Sequence, residues 1–180
     1  METQQSLFLS SLQEPETKEK AFKKLVQEYK ERLYWHIRKI VLDHEDANDV
    51  IQNTFIKIHL NIDKFKGDSS LFTWMYRIAT NESINFINSK SSKMGLQNQE
   101  WIESKAEGLK ADSYFDGDEA SLILQKLVAK LPEKQRIVFN MKYFDGMSYQ
   151  TISEILGTSE GALKASYYHA VQKIKTKLND

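Results

Sequence analysis

Apolar residues recur at three- and four-residue steps along most of this 180-residue chain, the spacing of amphipathic helices. Phe22, Leu25, Val26, Tyr29, Leu33, Ile37, Ile40 and Val41 predict a first helix, preceded by an acidic, proline-containing start at Glu14–Thr17. An acidic turn, Asp43–Asp46, leads into a second helix with Ala47, Val50, Ile51, Thr54, Phe55, Ile58 and Ile62 on its inner face. Lys64–Ser70 holds Gly67 and Asp68 and predicts a loop. Ser69 or Ser70 then caps a third helix by accepting a free backbone N–H. Its buried stripe is Leu71, Trp74, Met75, Ile78 and Ala79, continuing through Ile84 and Ile87. Over residues 89–118 the periodicity disappears among Ser, Lys, Gln, Asn, Asp and Glu, which predicts a tether with a transient turn around Trp101–Ile102.

Periodicity returns near Glu119. Leu122, Ile123, Leu127 and Val128 predict one helix, broken at Leu131–Pro132, and Ile137, Val138, Met141 and Phe144 another. The sharpest local pattern is Ser148–Leu178. Ser148 caps a short helix carrying Ile152, Ile155 and Leu156, and Gly157 supplies left-handed dihedrals at its end. Thr158 or Ser159 caps a longer helix that buries Leu163, Tyr167, Ala170, Val171, Ile174 and Leu178. That is the outline of a helix-turn-helix; a plain αα-hairpin in a bundle is the alternative, and the pattern favours DNA binding over it. The expected fold is all-α, with two small helical domains and a flexible acidic linker. Its parts are an N-terminal tail (1–17), a first domain (18–92), the linker (93–118) and a second domain (119–180).

Composition narrows the class. With 41% hydrophobic and 28% charged residues the chain is an ordinary globular sequence. It has no cysteine, which excludes disulfides, thiolate metal sites and thiol catalysis. No apolar run approaches the ~20 residues that span a bilayer, so membrane insertion is not expected. Met1–Leu12 lacks the basic start and apolar core of a signal peptide, and the expected location is the cytoplasm.

Charge matters by position rather than by total. The chain has 25 basic and 25 acidic residues, a balance that argues against nucleic acid as a partner. Yet residues 51–94 carry six basic and three acidic groups, and residues 121–180 carry nine and five. Residues 95–120 carry two and seven. Two basic pieces therefore flank an acidic one.

Polar and exposed positions supply the candidate chemistry. Asp49, Gln52, Asn53 and Ile56 lie at i, i+3, i+4 and i+7, so they share one outward helix face and point to a protein contact. Phe65–Arg77 mixes aromatics with cations, as single-stranded nucleic acid requires. Trp74 lies on the core stripe with only its edge free, so Phe65, Lys66, Ser69 and Ser70 in the loop are the better contacts. On the last helix Gly161, Lys164, Ala165, Tyr168 and His169 face away from the core. Their small residues admit the helix to a major groove about 12 Å wide, and the free N–H groups at Ser159–Gly161 suit a phosphate. There is no glycine-rich phosphate loop and no His-Glu-x-x-His motif. Neither an enzyme, a cofactor nor a small-molecule substrate is expected.

These readings leave a duplex-DNA regulator and a helical adaptor open. Four motifs then carry a resemblance. The first is Asp46-Ala47-Asn48-Asp49-Val50-Ile51-Gln52-Asn53-Thr54-Phe55. The second runs from Phe65-Lys66-Gly67-Asp68-Ser69-Ser70 through Leu71-Phe72-Thr73-Trp74-Met75-Tyr76-Arg77-Ile78-Ala79 to Asn81. The third is Leu131-Pro132-Glu133-Lys134-Gln135-Arg136-Ile137-Val138-Phe139, and the fourth spans residues 147–164. In this order and spacing, over roughly residues 18–92 and 120–178, the chain resembles the extracytoplasmic-function (ECF) group of bacterial RNA polymerase sigma factors, in the sigma-70 class.

The resemblance implies a transcription initiation factor that binds core RNA polymerase, directs it to specific promoters and helps open DNA. It implies that Asp49 and Gln52, with Asn53 and Ile56, dock on the clamp helices of the β′ subunit; the family often has Glu where this chain has Asn53. The minus-ten promoter element falls to Phe65, Lys66, Ser69, Ser70, Thr73, Trp74, Arg77 and Asn81. Housekeeping relatives place two tryptophans where this chain has Trp74 and Met75, which implies weaker melting and stricter promoter choice. The minus-thirty-five element falls to Arg136, Ser159, Glu160, Gly161, Lys164, Ala165, Tyr168, His169 and Lys173. Members often carry arginines at the positions of Ser166 and His169, so base readout here leans on Lys164 and DNA shape. The second domain would rest on the β flap, the acidic tether near the active-site and RNA-exit channel, and an anti-sigma factor is a further expected partner.

Overall fold

The computed structural model describes residues 4–111 and 117–180. Among the described residues the regular elements are all helical: α1 (Gln4–Gln13), α2 (Lys18–Val41), α3 (His44–Asn61), α4 (Leu71–Lys93), α5 (Asn98–Gly108), α6 (Glu119–Ala129), α7 (Glu133–Phe139), α8 (Tyr149–Leu156) and α9 (Glu160–Asn179). A π-helical turn, Asn140–Phe144, extends α7.

Local chemistry sets the helix ends. Asp43, Ser70, Ser148 and Ser159 each accept a backbone N–H from three residues onward, at the starts of α3, α4, α8 and α9. Gly157 closes α8 at φ 65°, where a Cβ would be strained. Leu42 closes α2 at φ 63° without being glycine; its side chain is buried, which offsets the ~1–2 kcal/mol cost of that conformation.

α2, α3 and α4 pack around Leu25, Leu33, Ile37, Ile58 and Met75, with α1 against α2. In the second unit α7 packs on α9 around Val128, Leu131, Phe139, Ala170 and Ile174. The larger core continues across the two units, taking in Ile137, Val138, Ile152, Ile155 and Leu163.

Three expectations are corrected. The flexible linker is not what residues 93–111 form. α4 runs to Lys93, and α5 follows with Trp101, Ile102 and Ala106 buried. A capping box starts α5, with the Gln97 N–H donating to Glu100 Oε2 at 2.8 Å. Its few apolar residues all fall on one face, and the polar ones that hid the period lie outside. The acidic residues Asp112 and Asp116 lie outside the described residues, whereas Asp118 caps α6. The N-terminal tail is also a helix from Gln4, because Leu12 is buried with Phe8 and Leu9 packed beside it. Finally, Leu178 is exposed, since it flanks a groove between α6 and α9 instead of entering the core.

Candidate protein and nucleic-acid interfaces

α3 presents the first candidate surface. Ala47, Val50, Ile51, Thr54 and Ile58 are buried, which turns Asp49, Gln52, Asn53 and Ile56 outward, all exposed. Ile56 is 56% exposed and Leu60, one turn further, 65%. Leu60 was missed by the sequence reading, although its i+4 spacing from Ile56 was visible. Two adjacent exposed aliphatics beside acid and amide groups make a stripe suited to another protein, not an isolated surface residue.

The loop after α3 presents the second. Phe65 is half-buried with its ring 5.2 Å from that of Trp74. Lys66 and Ser70 are exposed, Ser69 is half-buried, and Gly67 turns the loop at φ 79°. Ser70 is occupied as the cap of α4, accepting the Thr73 N–H at 3.1 Å. Trp74 is half-buried, while Arg77 and Asn81 are exposed along α4. Thr73 differs from expectation. It is buried, and its hydroxyl donates to Glu154 Oε2 of α8 at 3.4 Å. Arg77 donates to the Glu154 carbonyl, at 2.5 Å. The second unit thus covers part of the face assigned to the minus-ten element, a pairing 77 to 81 residues apart in sequence.

The same seam holds a second polar cluster. Asp145 bonds to His36 Nδ1 at 2.9 Å and pairs with Lys39, and Asn140 donates to the Lys39 carbonyl at 3.2 Å. His36 Nε2 meets Thr80 Oγ1 at 2.9 Å. Burial alone would raise the Asp145 carboxyl, but its hydrogen bond to His36 and the charges of His36 and Lys39 hold it below the ordinary aspartate range. Between the two clusters a cleft of about 390 Å³ opens between α4 and the second unit, lined by Arg77, Asn81, Ile137, Ile155 and Leu163.

α9 presents the third surface. Ser159 accepts the Ala162 N–H at 3.3 Å. Ser159, Glu160, Gly161, Lys164, Ala165, Tyr168, His169 and Lys173 are all exposed, because Leu163, Ala170 and Ile174 hold the opposite face inward. Lys164 lies with its ammonium 5.7 Å from the Tyr149 ring. Arg136 is corrected. Its guanidinium is buried, donating at 3.3 Å to both Gln99 Oε1 of α5 and the Leu131 carbonyl. Burial lowers its pKa, with Glu133 and Glu103 acting the other way. It braces α7 against α5 and is not presented to DNA in this arrangement.

Among the described residues no group of His, Cys, Asp or Glu is placed to hold a metal ion, and no helix is long and apolar enough to cross a membrane.

Residues 25–93 match the family model for Sigma-70 region 2, and residues 121–174 that for Sigma-70, region 4. The chain is 30% identical over 168 residues to the ECF RNA polymerase sigma factor SigW of Bacillus subtilis (strain 168), covering 89% of this chain and 90% of that protein. It is 27% identical over 168 residues to the ECF RNA polymerase sigma-E factor of Escherichia coli (strain K12), covering 89% and 87%. In fold it is similar to CnrH, solved in complex with the cytosolic domain of CnrY, with a TM-score of 0.70, 20% identity and 96% of each chain covered. It is likewise similar to the sigma factor RpoE, solved in complex with the anti-sigma factor NepR from Bartonella quintana. That match has a TM-score of 0.67 and 19% identity, covering 89% of this chain and 98% of that one.

Proposed function

The chain belongs to the sigma-70 family, in its ECF group, and from that premise we propose how its surfaces divide the work of transcription initiation. It binds bacterial core RNA polymerase and directs it to specific promoters, helping DNA opening. The observation that carries this reading is the order of the two family matches along one chain, each falling on a separate helical unit. A duplex-DNA regulator acting without polymerase would account for α8 and α9 but leave the first unit without a task.

The exposed stripe Asp49, Gln52, Asn53 and Ile56, extended by Leu60, docks on the β′ clamp helices. Ile56 and Leu60 supply the apolar centre, and the acid and amides supply its polar rim. The Phe65–Ser70 loop, with Trp74, Arg77 and Asn81, takes the minus-ten strand. A flipped base costs a few kcal/mol of lost stacking, and the half-buried Phe65–Trp74 pair offers it an aromatic edge. α9 enters the major groove at the minus-thirty-five element, with Lys164 and His169 toward bases or phosphates and Ser159–Gly161 toward a phosphate. The β flap supports the second unit. An anti-sigma factor is a further partner, in keeping with the complex in which the neighbour RpoE was solved. The protein works in the cytoplasm, beside polymerase, and performs no chemistry of its own.

Gel filtration with core polymerase tests this directly. The wild-type chain co-elutes with core, and Asp49→Ala with Gln52→Ala weakens the complex at least tenfold while the circular dichroism spectrum stays unchanged. Failure of the wild type to co-elute sinks the sigma-factor reading. Unchanged affinity in the double variant sinks the docking assignment alone. Run-off transcription on a pool of genomic promoters then returns the promoter sequence.

A further inference from the structure

α1 ends on Gln13, and the Gln13 side chain reaches into the other end of the first unit. Its amide nitrogen donates to the Ile62 carbonyl at 3.1 Å and to the Phe65 carbonyl at 3.0 Å. These are the first and last carbonyls of the tight turn that leaves α3; the Ile62 carbonyl also accepts the Phe65 N–H at 3.1 Å, so Gln13 adds a second donor there. One NH2 group has two protons, and here both are used across 49 and 52 residues of sequence.

The anchor behind Gln13 is firm. The preceding residue, Leu12, is fully buried in the core. The turn into α2 is tied by the Thr17 hydroxyl, which donates to the Ser11 carbonyl at 2.8 Å. Lys18 pairs with Asp63 at 2.7 Å on the same turn. Beyond Phe65 the restraints fall away: Lys66, Gly67 and Asp68 are exposed. Phe65 is therefore gripped from two sides, by Gln13 on its carbonyl and by Trp74 against its ring.

We propose that Gln13 is a positioning residue for promoter recognition, with α1 setting where the Phe65–Ser70 loop begins and hence how it meets the minus-ten strand. The inference rests on the assignment of that loop to the minus-ten element. Gln13 touches no DNA itself; it acts through the Ile62 and Phe65 carbonyls. An error of about an ångström in a positioned group is enough to cost a large factor in a recognition step.

The test uses full-length protein with core polymerase and the promoter recovered for the wild type, together with single-base variants of its minus-ten element. Gln13→Leu removes both donors, and Gln13→Glu keeps the size while setting a carboxylate against two carbonyls. Discrimination is the ratio of transcription from the parent promoter to that from each variant. Both substitutions are expected to lower that ratio about tenfold, the order given by two modest hydrogen bonds. Core affinity and dependence on the minus-thirty-five element stay within twofold. A purely structural role would instead scale transcription from all promoters equally, leaving the ratio unchanged, and that result overturns the proposal. Lys66→Ala is run in parallel. If it alters discrimination while folded Gln13 variants do not, the loop assignment stands and Gln13 is excluded. If neither alters it, the loop assignment falls and the role of Gln13 falls with it.

Discussion

Replacing Trp101 with alanine separates an ordered α5 from the tether that composition predicts. Trp101 is 2% exposed. Its ring lies 6.3 Å from that of Phe86 on α4, edge to face, and 5.3 Å from the Lys105 ammonium. Ile102 and Ala106 are buried beside it in the same cluster. Truncating a buried tryptophan to alanine costs about 3–5 kcal/mol, from lost burial and the cavity left behind. In a solvated tether the same change would stay within about 0.5 kcal/mol. For a chain of this length each kcal/mol moves the melting temperature by about 2–4 °C, so a drop of roughly 6–20 °C is expected. Urea unfolding followed by circular dichroism at 222 nm measures the free energy, with the denaturant slope checked for constancy. A loss below about 1 kcal/mol refutes the packed α5. In a protein with Trp35 and Trp74 replaced, the remaining Trp101 emission should also resist acrylamide quenching.

The other predictions concern charge. Lys164→Ala should reduce transcription from promoters that depend on the minus-thirty-five element and lower the salt slope of holoenzyme binding by about one ion; equal loss on promoters lacking the element would refute it. Arg136→Ala should instead lower stability by about 1–3 kcal/mol through unpaired buried groups without altering promoter preference, as urea melts and the promoter-pool assay would register. Asp145 sits below the ordinary aspartate value of 3.8, so near that pH the unfolded chain binds the proton more readily than the folded one. Its contribution to stability is therefore fully present above the ordinary value and is lost as the pH falls through the lower folded value. Asp145→Asn should flatten that part of the acid limb of stability, and an unchanged limb would show that the carboxylate is not held by His36 and Lys39.

What the sequence revealed and what it hid follow the range of the interactions. Ser148 and Gly157 were legible, and the caps of α4 and α9 were legible to within one residue (Ser69 or Ser70, Thr158 or Ser159), because capping and left-handed turns are decided within four residues. The outward stripe from Asp49 to Ile56 was legible because one helix face fixes it. α5 was not, since Trp101, Ile102 and Ala106 are three apolar residues among polar ones, and only the surfaces of distant elements, α4 and α6, make a core of them. The burial of Arg136 was hidden for the same reason: its partner Gln99 belongs to α5. Gln13 and Glu154 carry no local pattern, and their roles exist only once distant turns have been brought together.

The seam between the units bears on how DNA reaches α4. Thr73 and Arg77 bond to Glu154; on the proposal that both take the minus-ten strand, α8 would have to move off before they meet it. The polar contacts at Glu154 and Asp145 exchange for water at a net ~0.5–1.5 kcal/mol each, with more for the charged ones. Between them the apolar faces meet in the shared core, where Ile152, Ile155 and Leu163 are buried beside a cleft of about 390 Å³. Lifting α5 from α4 would likewise expose buried Trp101 and Ile102 at several kcal/mol. α5 is tied to the second unit as well: Ala129 shares the core of Trp101, Ile102 and Ala106, and polar links run from Gln99 to the Ala129 carbonyl at 2.9 Å, from Lys126 to Glu107 at 3.1 Å, and from Arg136 to Gln99. On that same proposal, parting the seam would free Arg77 for a phosphate without changing the even count of 25 basic and 25 acidic groups, so DNA affinity would follow the geometry of the seam as well as the charge of the chain.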